Sequence, residues 1–418
     1  MTLTRGVVAM CAAQAFAQIG AFSVAALIPA LIPAWSLTNT EAGWISGIYY
    51  AAYTLVVPLL SSLTDRVDPK RIYLGSVALT AVAFAGFAWG ATGFWSALAF
   101  RALMGAGWAG SYMPGLKALS DLTEGSQQSR AVAAHAAAVG VSGALSFGVA
   151  GAVNVWLGWQ WALVPGAVGA ALAFAIVLIG LPSRPPRPTT QVRGALLDFR
   201  PILRNRSALA YSLAYCVHTW EMSALRGWVV AFLAFCAAQQ AGGWTPIAPA
   251  MVASIMGLLG VWASVWGNEL SIRFGRRRFI LGTMLVSAAM AGVIGFSAAL
   301  PYAGAAALVL IYAVLIWSDS SSLTAGSSGS AEPGRRGATL AVHSTLGYAG
   351  GFLGPLALGA TLDLFGGASV LAWGVAFGHV TVALLVGALA FVWLRPSDLA
   401  GDRSSREPRA VRGTSMPR

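Results

Sequence analysis

Residues 66–75 read Arg-Val-Asp-Pro-Lys-Arg-Ile-Tyr-Leu-Gly, and residues 273–282 read Arg-Phe-Gly-Arg-Arg-Arg-Phe-Ile-Leu-Gly. The offset, 273 − 66 = 207, is about half of the 418-residue chain. A basic, loop-like decapeptide therefore recurs once in each half, each time between two long apolar segments. At the same offset Gly20 falls on Gly227, Gly140 on Gly347 and Gly143 on Gly350. At an offset of 209, Trp108 falls on Trp317 and Ser111 on Ser320. A chain that repeats itself at half length inside a membrane predicts two similar bundles meeting at a pseudo-symmetric interface. Substrate sites of transporters sit at such interfaces.

Composition supports the membrane. Hydrophobic residues make up 57% and charged residues 10%, against about 25% charged in a soluble domain. The mean hydropathy is +0.71. The apolar runs lack the alternation of barrel strands. They predict spans at roughly 6–34, 41–64, 72–91, 94–118, 131–156, 160–181, 208–238, 248–269, 279–299, 303–327, 338–362 and 370–394. Each is near the ~20 residues that cross a bilayer. Cys11, Cys216 and Cys236 lie in apolar runs and indicate neither a disulfide nor a metal site.

The net charge of +12 is distributed by side. Loops at 35–40, 92–93, 157–159, 239–247, 300–302 and 363–369 contain no Lys or Arg, and the basic residues fall on the other side. This is the positive-inside pattern, not a nucleic-acid surface, and it predicts cytoplasmic termini. Tryptophans 35, 44, 95, 156, 159, 244 and 373 fall near the outer ends of spans, as an aromatic belt would. Ala15-Phe16-Ala17 resembles a cleavage site, but the apolar run continues past it, which predicts an uncleaved first helix. The expected organisation is a first bundle over 1–181, a proline-rich cytoplasmic linker over 182–207 and a second bundle over 208–395. An Arg-rich disordered tail follows over 396–418.

With these features the chain resembles the major facilitator superfamily over about residues 5–395. The family's loop motif, Gly-x-x-x-Asp-Arg-x-Gly-Arg-Arg/Lys, reads here Ser61-Ser62-Leu63-Thr64-Asp65-Arg66-Val67-Asp68-Pro69-Lys70-Arg71. The Asp-Arg pair stands; Ser61 and Asp68 replace the glycines. The second copy, Asn268-Glu269-Leu270-Ser271-Ile272-Arg273-Phe274-Gly275-Arg276-Arg277, keeps Arg-x-Gly-Arg-Arg and has Ile272 for the aspartate, with Glu269 as a substitute. Arg101-Ala-Leu-Met-Gly105-Ala-Gly107 matches the family's fourth helix. The Gly-Pro of the antiport motif is absent from the fifth helix and occurs instead as Gly354-Pro355. The resemblance implies an all-α membrane protein with twelve transmembrane helices in two pseudo-symmetric six-helix bundles. It also implies that Asp65, Arg66, Glu269, Arg273 and Gly275 form conformational latches. The plainer reading of Arg66 and Arg273 is that they only set topology.

The deep ionisable residues are Arg101, Glu221, Arg226 and Asp319, with His135, His218, His343 and His379. A charge at the bilayer centre costs about 2.5–3.5 kcal/mol on insertion scales, so such residues mark function or mutual pairing. At 100° per residue, His218, Glu221, Met222 and Arg226 lie within an arc of about 140°, which predicts one helix face presenting all three polar groups to a cavity. At the offset of 207, Glu221 overlies Gln14. The expected substrate-binding residues are Arg226, Arg101, His218, Asp319, Gln14 and Gln18, with Arg226 pairing an anion through its planar fork. Glu221, Asp319 and His218 are the proton-coupling candidates. The competing reading is structural, with Glu221 and Arg226 as braces and Arg101 bonded to Gln14, Gln18 or helix-one carbonyls. His135, His343 and His379 read as packing or helix-end residues.

The reading that follows is a proton-coupled secondary transporter of a small, anionic organic solute. It would work by alternating access in the cell inner membrane, as a monomer without cofactor or metal. Broad-specificity efflux by proton antiport is the alternative within transporters, and a non-transporting receptor or sensor the alternative outside them. No nucleophile motif or phosphate-binding loop indicates an enzyme.

Overall fold

The computed structural model describes residues 5–183, 200–240, 245–333, 335–400 and 402. Most of the predicted linker lies outside them, apart from a short helix at Arg200–Arg204. So do Trp244 and residues 403–418 of the tail.

The described residues form long helices joined by short turns and contain no strand. The first half holds α1 (Arg5–Trp35), α2 (Asn39–Leu63), α3 (Pro69–Gly90), α4 (Phe94–Ser120), α5 (Gly125–Leu157) and α6 (Trp159–Gly180). The second holds α7 (Arg206–Ala238), α8 (Pro249–Phe274), α9 (Arg276–Ala299), α10 (Tyr302–Gly329), α11 (Arg336–Leu364) and α12 (Val370–Leu394). Among the described residues, ten helices are long and apolar enough to cross a membrane. The other two, α4 and α11, are long but rich in glycine and polar residues, and they coincide with the spans expected at 94–118 and 338–362.

Both decapeptides make a sharp turn and start a helix, by different means. In the first, the Asp68 side chain accepts the Lys70 backbone N–H at 2.9 Å and Pro69 opens α3. Proline's fixed φ and missing donor suit a first helical position. In the second, Gly275 turns the chain at φ +90° before α9, a conformation that favours glycine.

Two expected helices are broken. α1 turns out of helix at residues 19–22, and α10 is interrupted at Asp319. At the α1 break Gly20 packs so closely on the Gly166 backbone and the Phe84 ring that a Cβ would lie 2.7 and 2.5 Å from them. The freed backbone groups find partners on other helices. Ser146 Oγ accepts the Phe22 N–H at 3.0 Å, and Arg101 donates to the Ala21 carbonyl at 3.1 Å. Such compensation is what permits irregular backbone at membrane depth.

Within the first half α1 packs on α5 and α6, and α4 on α2 and α3. Within the second half α7 packs on α11 and α12, α8 on α10, and α9 on α12. The halves meet through α2 with α11, α5 with α8, and the second segment of α1 with α7. Ser397, Leu399 and Asp402 lie near the starts of α7 and α9, at the same end as Arg5. We call this the terminal end and its opposite the far end.

At the far end α2 and α11 touch backbone to backbone: a Cβ on Gly43 or Gly47 would lie 2.6 or 2.5 Å from the carbonyls of Pro355 and Phe352. Asp363 of α11 clasps the start of α2. One carboxylate oxygen accepts from Asn39 N (3.0 Å) and Nδ2 (2.8 Å), the other from Thr40 N (2.7 Å) and Oγ1 (2.6 Å). At the terminal end the same two helices diverge around a groove of about 270 Å³, lined by Thr54, Pro58, Ser61, Leu340, Ser344 and Tyr348 among others.

Large apolar side chains such as Leu55, Trp95, Trp156, Ile179 and Leu389 cover the exterior, as a lipid-facing surface requires. Trp95 and Trp156 are exposed as belt residues should be. Trp373 is not: it is buried among Trp228, Phe232 and Phe377.

Candidate functional site

Between the halves lies a cavity of about 160 Å³. The break in α1 contributes Ala21 and Phe22, with Gln18 just before it. α2 contributes Tyr49 and Tyr50, α4 Trp108, α5 Gly140, Gly143 and Phe147, α7 Arg226, α8 Met256 and α10 Trp317. Trp108 and Trp317, matched by the internal repeat, thus face the same space from opposite halves. On the terminal side the aromatic cluster Tyr53, Trp108 and Tyr348 separates the cavity from the groove. Tyr53 lies 4.2 Å from Trp108 and 4.4 Å from Tyr348, centroid to centroid.

Arg226 is the cationic residue of the lining. Its guanidinium stacks over Phe22 of the first half at 4.5 Å and Trp317 of the second at 5.1 Å. Among the described residues it has no hydrogen bond and no carboxylate within ion-pair distance. Cation–π contacts use the faces of the fork and leave N–H edges for an acceptor.

Arg101 is placed differently from Arg226. It is buried, donates to the Ala21 carbonyl, contacts Met104 Sδ at 3.6 Å and stacks over Tyr49 at 4.1 Å. It holds the α1 break and does not line the cavity, the arrangement expected of a brace to a helix-one carbonyl. Gln14 is buried too, with neither amide atom partnered, and also lies outside the lining.

The single polar face projected for α7 does not face one cavity. Arg226 turns to the space between the halves, whereas Glu221 and His218 turn into the second half. His218 Nδ1 lies 2.9 Å from Asp319 Oδ1, at the break in α10. Glu221 is buried next to the hydroxyls of Tyr312 and Ser287 and near Asp319. The helical projection places residues around an axis but does not say which neighbour stands at each angle. The cluster extends further: Tyr215 stacks on His218 at 5.6 Å and on His343 at 4.0 Å, and His343 Nε2 lies 3.3 Å from Thr324 Oγ1. His343 is therefore part of the polar cluster rather than a helix-end residue. His135 packs near Tyr112, and His379 accepts from Trp220 Nε1 at 3.0 Å.

The expected latch residues Asp65, Arg66, Glu269 and Arg273 are all exposed at the terminal end, and none makes an ion pair with a described residue. Sequence reasoning missed the buried arginine of that loop, Arg276. It donates to both carboxylate oxygens of Asp402 at 3.2 Å, to Asn268 Oδ1 at 3.1 Å and to the Ser322 carbonyl at 3.2 Å. Asp398 accepts the Arg277 N–H at 2.7 Å. The tail expected to be disordered from 396 onward is thus docked at least as far as Leu399, and again at Asp402. The signal was Asp398 and Asp402 opposite three consecutive arginines.

Among the described residues no group of His, Cys, Asp and Glu could hold a metal ion.

Residues 10–253 match the Major Facilitator Superfamily. The human protein spinster homolog 1 is 26% identical over 227 residues, covering 51% of this chain and 42% of the relative. The match thus spans less than half the length of that relative. Rat monocarboxylate transporter 13 is 27% identical over 304 residues, covering 70% of this chain and 66% of the relative. A bacterial homologue of the human lysosomal transporter Spinster, solved in an inward-facing and occupied conformation, superposes with a TM-score of 0.75. It is 16% identical, and the superposition covers 97% of this chain and 98% of the other. The nucleoside transporter NupG, solved as a mutant, superposes with a TM-score of 0.77 at 13% identity, covering 93% of this chain and 100% of the other. The chain belongs to the major facilitator superfamily, whose members are multi-pass membrane transporters and not enzymes.

Proposed function

We propose that this protein is a proton-coupled secondary transporter that moves a small organic anion across the cell inner membrane by alternating access. Twelve spans in two six-helix bundles carry it, with the terminal end in the cytoplasm, and the monomer is the working unit. The observation that carries the proposal is Arg226: a guanidinium in the cavity between the halves, held by one ring from each half and lacking an acidic partner among the described residues. Glu221, Asp319 and His218 take and release the proton inside the second half. Glu221 and His218 share α7 with Arg226, so a proton arriving at Glu221 and an anion arriving at Arg226 bias the same helix. The far-end clasp and the terminal groove fit a conformation closed outside and parting toward the cytoplasm.

Purified protein in liposomes with an imposed pH gradient tests this. Accumulation of an organic anion that collapses with a proton ionophore supports the proposal. Accumulation unaffected by the ionophore overturns the coupling.

A further inference from the structure

Three features of the cavity limit what Arg226 can hold. The first is charge. Glu221 and Asp319 turn away from the cavity, and among the described residues no carboxylate lines it. Arg101 does not line the cavity: its Nη2 donates to the Ala21 carbonyl and its Nη1 contacts Met104, while Nε is buried without a partner among the described residues. A second negative charge on the ligand would therefore be buried without a partner, and so would a positive one. Uncompensated buried charge is strongly disfavoured.

The second is shape. Phe22, Tyr49, Trp108 and Trp317 line the space, with neutral polar groups from Gln18, the Tyr50 hydroxyl and the Trp108 Nε1–H, the last unpartnered among the described residues. Tyr49 and Trp108 stack nearly parallel, 5.1 Å apart and inclined by 5°. Walls of this kind favour a flat apolar body.

The third is size. The volume of about 160 Å³ is near the ~150 Å³ of an apolar cavity that accepts benzene. Drug-sized ligands fill ~300–1,000 Å³.

We infer that the cavity seats a small monocarboxylate with a single flat apolar body and no cationic group. Its carboxylate meets the N–H edges of Arg226 and its body lies among Phe22, Tyr49, Trp108 and Trp317. This rests on the transport reading above and adds the class of substrate. Bidentate pairing is a property of the planar guanidinium, so Arg226 sets specificity as well as charge.

Isothermal titration of the purified full chain with four one-ring probes tests the seat: benzoate, phthalate, benzamide and phenylalanine. Benzoate binds, and the dianion, the neutral amide and the zwitterion each bind at least about tenfold more weakly, because each leaves a charge or the guanidinium unpaired. Arg226→Gln abolishes benzoate binding, and Arg226→Lys weakens it about tenfold while keeping the charge. The inference is overturned if benzoate fails to bind or if phthalate or phenylalanine binds as tightly. It is equally overturned if benzoate affinity is unchanged in Arg226→Lys, a comparison that stands even if the glutamine variant does not fold. Flux in liposomes separates the two levels. Benzoate that binds but is never carried sinks the transport reading and leaves the seat. A carried solute of another class does the reverse.

Discussion

His218 Nδ1 lies 2.9 Å from Asp319 Oδ1, with both side chains buried between α7 and the break in α10. Removing one partner of a buried pair leaves the other desolvated and alone. Asp319→Ala is expected to lower unfolding stability by about 1–3 kcal/mol, the cost of leaving a buried polar group without its partner, and Asp319→Asn, which keeps a hydrogen-bonding group, by less. Thermal unfolding of the detergent-solubilised variants reports the difference. Equal losses would show that the contact with His218 is not what stabilises this site.

Glu221→Gln keeps the size and hydrogen-bonding capacity of the side chain beside Tyr312 and Ser287 but removes the titratable proton. The expected outcome is loss of pH-gradient-driven accumulation with substrate exchange preserved. Counterflow and gradient-driven uptake in the same liposome preparation separate the two. A variant that still accumulates substrate against its gradient moves the proton site to Asp319.

The Asp363 clasp carries a pH dependence of defined sign. Burial pushes the carboxyl up, but the hydrogen bonds from Thr40 and Asn39 outweigh it and hold it below its ordinary value of 3.8. A carboxyl lowered on folding stabilises fully above that ordinary value and loses its effect as pH falls through the lower folded one. Closure of the far end is therefore expected to be insensitive to pH between about 5 and 8 and to weaken in strong acid. Asp363→Asn, by contrast, loosens it throughout the range in which the wild-type carboxylate is ionised. On a background with Cys11, Cys216 and Cys236 replaced by Ser, labelling of Ser46→Cys by a membrane-impermeant thiol reagent reads the opening. A rate unchanged by Asp363→Asn would mean that backbone packing of α2 on α11 closes this end alone.

Asp402 is the carboxylate within ion-pair reach of buried Arg276. Asp402→Asn and truncation after Arg395 are both expected to destabilise the chain by about 3–5 kcal/mol, because the guanidinium stays buried without its countercharge. Melting curves of the two variants against Arg335→Ala, a change at an exposed residue, measure it. A truncated protein as stable as the full chain would show that the tail contact is incidental.

Much of the architecture was legible because periodicity and charge asymmetry are properties of the chain itself. The decapeptide repeat maps onto observed turns and helix starts, and the apolar spans fall on observed helices, ten of which, among the described residues, are long and apolar enough to cross a membrane. The repeat also paired Trp108 with Trp317, which meet at the cavity. The losses have a common cause, in that each depends on what lies across from a residue. Arg226 and Glu221 lie on adjacent parts of one helix surface, yet one sees the other half and the other sees α9 and α10. The break in α1 looks like uninterrupted apolar helix until Arg101 and Ser146 take up its backbone groups. Composition marked residues 396–418 as unstructured, because an average over the segment cannot register two aspartates positioned against α9. Nothing in the sequence around Asp363 points to its partners, which are 323 and 324 residues away.

That last separation bears on how the protein is made. Asn39 and Thr40 leave the ribosome early, and Asp363 lies at the end of α11, the first helix of the final pair. The far end cannot be fastened by Asp363 until α11 has been made. Until α11 is inserted, the start of α2 keeps its N–H groups unclaimed by Asp363 and its glycine face bare of α11. The first half must therefore wait in the bilayer with the α2 part of its partner surface uncovered until α11 arrives.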